Sequence, residues 1–147
     1  MSDALGVFPF LSIIIAASPI VSLGGSDARG CANQVLLDGK RLEGGPAPLC
    51  IREAVSVVLD DQALVALRVE APHRFETRVR SRVFLYRVVG RRLVPRFLGS
   101  GFSSREVTGL FVLEGALGLR TIEESGAKES LHCVFDGFPL VCTRTSP

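Results

Sequence analysis

The chain has 147 residues, 47% of them hydrophobic, and a formal net charge of +2. That length holds one domain with a modest core rather than several domains, and so small a positive balance does not by itself imply a polyanionic partner. Of the seventeen basic residues only Lys40 and Lys128 are lysine, a bias that reflects genome composition more readily than recognition.

Residues 4–23 form a run of twenty without a charged side chain. Its strongest stretch, 8–17, has the length of a signal-peptide core, and Pro19 and Gly24-Gly25 break a helix beyond it. Small residues at Ser26 and Ala28 predict cleavage that leaves Arg29 as the first residue; Ser22 with Gly24 offers a cut four residues earlier. The segment Met1-Ser2-Asp3 lacks the usual Lys or Arg, so a retained membrane helix is the competing reading. Twenty residues at about 1.5 Å each just span a hydrocarbon core of roughly 30 Å. The basic residues follow the run, which by charge asymmetry would hold the rest of the chain in the cytosol. Pro9, Pro19, Ser12, Ser18 and Ser22 make it a poor span. The expectation is a signal peptide or membrane anchor over 1–28 and a single disulfide-stapled β domain over 29–147. The protein is then secreted or periplasmic, with single-pass anchoring as the alternative.

Beyond the leader the pattern is β throughout. Val35-Leu36-Leu37 and Arg41-Leu42 flank Asp38-Gly39, a hairpin signal, and Gly44-Gly45-Pro46-Ala47-Pro48 reads as a loop. Apolar runs at 54–59 and 63–69 lie either side of Asp60-Asp61-Gln62. A helix over 51–59 competes, but Val55, Val57 and Val58 favour a strand. Residues 75–89 alternate for much of their length, with Phe75, Thr77, Val79, Ser81 and Val83 on one face and Arg78, Arg80 and Arg82 on the other. The chain turns near Val89-Gly90-Arg91 and returns through 93–98. After a loop at 99–104, Ser103 and Glu106 match a capping box but precede no helical pattern. Strands are predicted at 107–114, 117–124, 129–135 and 140–144, with a connection at Ser125-Gly126-Ala127-Lys128.

Turn signals about every ten residues predict an all-β fold, a small antiparallel meander forming a barrel or sandwich, preceded by an N-terminal apolar helix. One echo suggests an alternative. Gly90 with Leu93-Val94 and Gly137 with Leu140-Val141 share the frame Gly-x-x-Leu-Val, forty-seven residues apart. Hairpins of propeller blades recur near that period, so two propeller-blade-like sheets form the second architecture.

Four cysteines in an exported chain imply two bridges. A four-residue loop from Asp136 to Pro139 pairs Phe135 with Leu140 and sets Cys133 opposite Cys142, within disulfide reach. Cys31 and Cys50 then join around the Asp38-Gly39 turn. A two-residue turn at Asp136-Gly137 is the rival register and would offset Cys133 from Cys142. No C-x-x-C pair is present, and His132 beside Cys133 points to the other face of a strand, so no metal site and no cofactor are expected.

The arginine cluster is the one surface feature that stands out. Arg74, Arg78, Arg80, Arg82, Arg87, Arg91, Arg92 and Arg96 face a lone Glu76 between residues 73 and 96. Arg78, Arg80, Arg82, Arg87, Arg91 and Arg92 are the candidate ligand-binding set, since a row of guanidinium groups engages carboxylates or phosphates bidentately. The bland alternative is a solvated strand face with Glu106, Glu114, Glu123 and Glu124 as partners. The binding reading requires Arg78, Arg80 and Arg82 at the solvent. Expected partners are an anionic glycan, a lipid head group or an envelope protein. Nucleic acid is disfavoured, because Tyr86 is the only Tyr or Trp available for base stacking, and a membrane is reached only through an uncleaved N-terminal segment.

Catalytic patterns are thin. Gly99-Ser100-Gly101 lacks a nucleophile elbow, and Ser103 or Ser104 would need His73 or His132 nearby. Asp60-Asp61 and Glu123-Glu124 read as solvated turns. A non-catalytic binding protein is the leading expectation, an envelope accessory protein working through protein contacts the second, and a small hydrolase a distant third.

Overall fold

The structure, a computed structural model, describes residues 20–46, 49–72, 79–99 and 105–145, without the side chains of 71, 72, 79, 80 and 105. Among the described residues eleven strands form three antiparallel sheets. The first holds β1 (Val21–Gly24), β2 (Gln34–Leu37) and β3 (Lys40–Arg41). The second runs β4 (Cys50–Leu59), β5 (Gln62–Pro72), β6 (Val79–Val89) and β7 (Arg92–Leu98). The third runs β8 (Arg105–Leu113), β9 (Ala116–Glu123), β10 (Lys128–Phe135) and β11 (Leu140–Arg144). Within each sheet the strands pair with their neighbours in sequence, so each sheet is a meander, and the three sheets do not join into one continuous ladder. No helix occurs among the described residues, and 51–59 is strand, as its valines favour. The predicted N-terminal helix lies outside the described residues.

The turns follow from residues that tolerate a left-handed backbone. Asp60 and Asp61 adopt φ of 52° and 59° between Leu59 and Gln62, and Gly115 adopts 71° between Leu113 and Ala116. Asp and Gly bear that conformation at low cost, which closes tight hairpins matched to the strand twist.

Two apolar clusters hold the layers together. Val57, Leu59, Leu64, Ala66, Val83 and Leu85 of the second sheet meet Val107, Leu110, Leu117, Leu119, Leu131 and Cys133 of the third. On the opposite face, Val65, Leu67, Val69, Tyr86 and Leu93 meet Val35 and Leu42, with Val21, Leu23 and Leu37 packed beside them. The second sheet is therefore covered on both faces. This explains why β5 reads as an unbroken apolar run: Leu64 and Ala66 enter one cluster, Val65, Leu67 and Val69 the other. Both copies of the Gly-x-x-Leu-Val frame fall on the last hairpin of a four-stranded sheet, β6–β7 and β10–β11.

A carboxylate stitches the two large sheets. Thr108 is the extra residue of a bulge in β8, which is an edge strand. Just beyond it the Leu110 N–H donates to Glu53 Oε1 at 3.1 Å, and Arg68 Nε donates to the same oxygen at 3.1 Å. The Arg68 Nη1 reaches Ser81 Oγ at 3.4 Å. An edge N–H facing a neighbouring layer would otherwise lose its hydrogen bond.

Both predicted disulfides are present, Cys31–Cys50 and Cys133–Cys142. Phe135 pairs with Leu140 and Cys133 with Cys142, the register of the four-residue loop. Cys31–Cys50 ties the segment before β2 to the start of β4, beside a bridge between Ala32 and Ile51. Asp27 prepares that link, its Oδ1 accepting from the N–H groups of Arg29 and Cys31. These contacts hold its carboxyl below the ordinary value.

Strand β1 falls inside the stretch assigned to the leader. Val21 pairs with Leu37 and Gly24 with Gln34, while Ile20 and Asp38 exchange hydrogen bonds, Ile20 N–H to Asp38 Oδ1 and Asp38 N–H to the Ile20 carbonyl. Cleavage after Gly24 or Ala28 would remove this strand from the first sheet.

Tyr86 is buried in the second cluster, and burial pushes its phenol up to about 12. The folded phenol therefore stays neutral at pH values where the unfolded one, near 10, has ionised. Its contribution to stability is complete below about pH 10 and is lost as pH rises toward about 12. We expect a loss of about 1.4 kcal/mol by about pH 11 relative to neutral pH, one pKa unit's worth. Urea denaturation of the wild-type chain and of Tyr86→Phe at both pH values checks it, since the phenylalanine variant lacks this component.

Candidate anion-binding cleft

The arginines divide into those that build the fold and those left free. Arg52 pairs with Glu70 at 3.0 Å and also donates to the Arg29 carbonyl, and the Glu70 contact raises its pKa above the ordinary value. Arg68 pairs with Glu53, Arg29 with Asp27, and Arg144 with Glu123 and Glu129. The Arg96 guanidinium lies 3.8 Å over the Phe135 ring and donates to the carbonyls of Gly137 and Phe138 at 2.9 and 3.1 Å. Arg120 lies 4.7 Å over the Phe111 ring, which occupies the space a side chain at Gly118 would need.

The expected row of solvated guanidinium groups on β6 does not hold at Arg82, which is 7% exposed. It shares its strand face with Phe84 and Tyr86, toward the first sheet, and donates from Nη1 to the Gly99 carbonyl at 3.3 Å. Period-two alternation marks a solvent face only where one side of a sheet is open, and here both sides are covered. Arg78 and the side chain of Arg80 lie outside the described residues. Arg87, Arg91 and Arg92 are exposed and, among the described residues, make no ion pair. Arg87 is on the opposite face of β6 from Tyr86, so the set does not form one surface.

Arg91 is joined instead by a residue outside the sequence-derived set. Arg41, exposed and likewise without an ion pair among the described residues, lines a cleft of about 550 Å³ together with Arg91, Asn33, Glu43 and the Gly44-Gly45 backbone. Val35, Leu42 and Ile51 form its apolar floor. Two backbone hydrogen bonds fix the walls: Glu43 N–H donates to the Arg91 carbonyl at 2.8 Å and Leu93 N–H to the Glu43 carbonyl at 2.7 Å. Gly44 makes that approach possible. Its φ is 80°, and a Cβ there would sit 2.9 Å from the Leu93 carbonyl oxygen. Two guanidinium groups, a side-chain amide and an open glycine backbone can together receive a carboxylate, sulfate or phosphate. Arg41 escaped sequence reading because it lies far in sequence from the arginine-rich stretch and meets it only through the packing of the first sheet on the second.

The other candidates are not drawn together. His132 pairs with Thr143 and Gly118 on the third sheet, while His73, Ser103 and Ser104 lie outside the described residues. Asp60 and Asp61 are exposed turn residues. The Cys31 and Cys50 sulfurs and the Glu70 carboxylate lie within 4.8 Å of one another, but both sulfurs are joined in a disulfide. The chain matches no protein-family model, no curated protein and no solved structure, so its function is argued from this geometry.

Proposed function

We propose that the protein is a non-catalytic binding module of an oxidising compartment, tethered by its leading segment, whose Arg41–Arg91 cleft takes an acidic glycan. The carrying observation is the pair of unpaired arginines on one polar cleft with a fixed backbone wall. Two disulfides in a small domain are consistent with an extracellular-type environment. They outweigh the charge asymmetry around the leader as a guide to orientation. Retention of the leader is supported by β1, whose Val21 and Leu23 pack against the second cluster. We read the two four-stranded sheets as a stacked, blade-like pair, on the strength of the shared frame at their last hairpins.

Titration calorimetry with an oligogalacturonate and a neutral oligosaccharide of equal length tests the cleft. Binding of the acidic chain alone is expected, weakening at least about tenfold in Arg41→Ala/Arg91→Ala, in line with loss of charge-assisted hydrogen bonds. Arg87→Ala, on the other face, leaves it unchanged. Equal affinity for both sugars, or indifference to the double substitution, overturns the reading.

A further inference from the structure

A strand at the rim of a sheet leaves half of its backbone N–H and C=O groups outside the ladder, and folded chains blunt such rims with charge, proline, bulges or covering segments. Three of the four rims of the large sheets carry such a device. β8 is bulged at Thr108, and its Leu110 N–H is taken by Glu53. β7 holds Pro95 beside a bulge and begins at the parallel bridge between Glu43 and Arg92. β4 is bridged at Ile51 by Ala32 and packs beside β1 and β8. β11 has none of these, and among the described residues it pairs with β10 alone.

The hydrogen bonds at its two ends fix which groups of β11 are free. Asp136 N–H donates to the Pro139 carbonyl, and Thr145 N–H to the Ser130 carbonyl. Bonded pairs alternate along an antiparallel ladder, so Val141 and Thr143 turn their backbone groups to β10, while Leu140, Cys142 and Arg144 turn theirs outward. The 4.1 Å between the Cα atoms of Cys133 and Cys142 agrees, being the close spacing of a pair without mutual hydrogen bonds. That bridge, together with Arg96 on the carbonyls of Gly137 and Phe138, holds the edge in one shape. A rigid edge loses little conformational freedom when it takes a partner. On the outer face Val141 stands 41% exposed beside Val134. Arg144, the single charged residue of the strand, is already neutralised by Glu123 and Glu129.

From this edge we infer that β11 pairs with β11 of a second copy of the chain, antiparallel and about a two-fold axis at Cys142, so that the third sheets of two copies join into one. An identical strand laid antiparallel presents the same outward groups in return, which closes the assembly at two copies. In this register Leu140 exchanges backbone hydrogen bonds with the partner's Arg144, and Cys142 with the partner's Cys142. Val141 stands opposite the partner's Thr143, a β-branched pair on the outer face. The two Arg144 side chains lie at opposite ends of the seam, so no like charges meet across it. An edge of five residues buries little area, which sets a weak dimer, dissociating in the range of about 1–100 μM. The pairing does not depend on the glycan reading, whose cleft belongs to the first and second sheets.

Sedimentation equilibrium of the full-length chain in density-matched neutral detergent, over concentrations that bracket this range, is expected to show monomers and dimers in exchange. Val141→Lys/Thr143→Lys puts like charges opposite each other on both sides of the axis and is expected to weaken association at least about tenfold. Val141→Lys/Thr143→Glu puts opposite charges there and is expected to bring association back to within about threefold of wild type. A chain that stays monomeric throughout overturns the proposal. So does association that ignores both substitutions, as dimers made by the leading segment would, and so does a second variant no better than the first. Amide hydrogen exchange of the wild-type chain tests the same edge without any variant having to fold. The N–H groups of Leu140, Cys142 and Arg144 are expected to exchange more slowly as concentration rises, with Val141 and Thr143 protected throughout. Equal exchange of the outward three at low and high concentration overturns the pairing.

Discussion

Replacing Cys31 and Cys50 by serine lowers the unfolding free energy by about 3 kcal/mol, the loop-closure value for this separation in the chain-entropy model. The bond spans nineteen positions and joins the first sheet to the second. Without it the small sheet is held by the Ala32–Ile51 bridge, the Glu43 contacts and one apolar cluster. Its loss therefore reaches the cleft, because Arg41 belongs to the first sheet and Arg91 to the β6–β7 turn of the second. The same variant should bind oligogalacturonate more weakly although neither arginine is altered. Cys133→Ala/Cys142→Ala is the control for binding: its bridge lies inside a hairpin that keeps its own ladder and does not border the cleft. Urea denaturation and calorimetry on both variants check this, and an unchanged midpoint for the Cys31/Cys50 pair would contradict it.

Glu53→Ala is expected to cost about 2–4 kcal/mol, within the range for breaking a partly buried charged network. One carboxylate oxygen accepts from both Arg68 and the Leu110 N–H. Truncation leaves a mostly covered guanidinium without its counter-charge and an edge-strand N–H without an acceptor. Glu53→Gln keeps an acceptor oxygen and removes the charge, so it should cost roughly half as much. Urea midpoints of the two variants against wild type measure the difference. Equal stability of the alanine and glutamine forms would show that the oxygen contributes nothing across the sheets.

The predicted hairpins appear where Asp, Gly and the β-branched runs placed them, from Asp38-Gly39 to the Asp136–Pro139 loop, because turn chemistry is local. The Cys133–Cys142 bridge was legible for the same reason: loop length sets the register, and register sets which residues stand opposite. The arginine row was misread at Arg82. Alternation says that two faces differ, and only the layer packed beyond a face says whether it meets water. β1 was hidden for a related reason, since its residues carry the apolar character of both a leader and an inner strand.

Residue order by itself determined the all-β character, the positions of the turns and the Cys133–Cys142 pairing, which depend on contacts between near neighbours along the chain, and left Cys31–Cys50 as the remaining pair. Tertiary packing alone decided that the second sheet is covered on both faces and that Arg41 and Arg91 line one cleft. Those outcomes depend on which sheet stacks on which, and that choice is made by apolar burial summed over residues far apart in sequence.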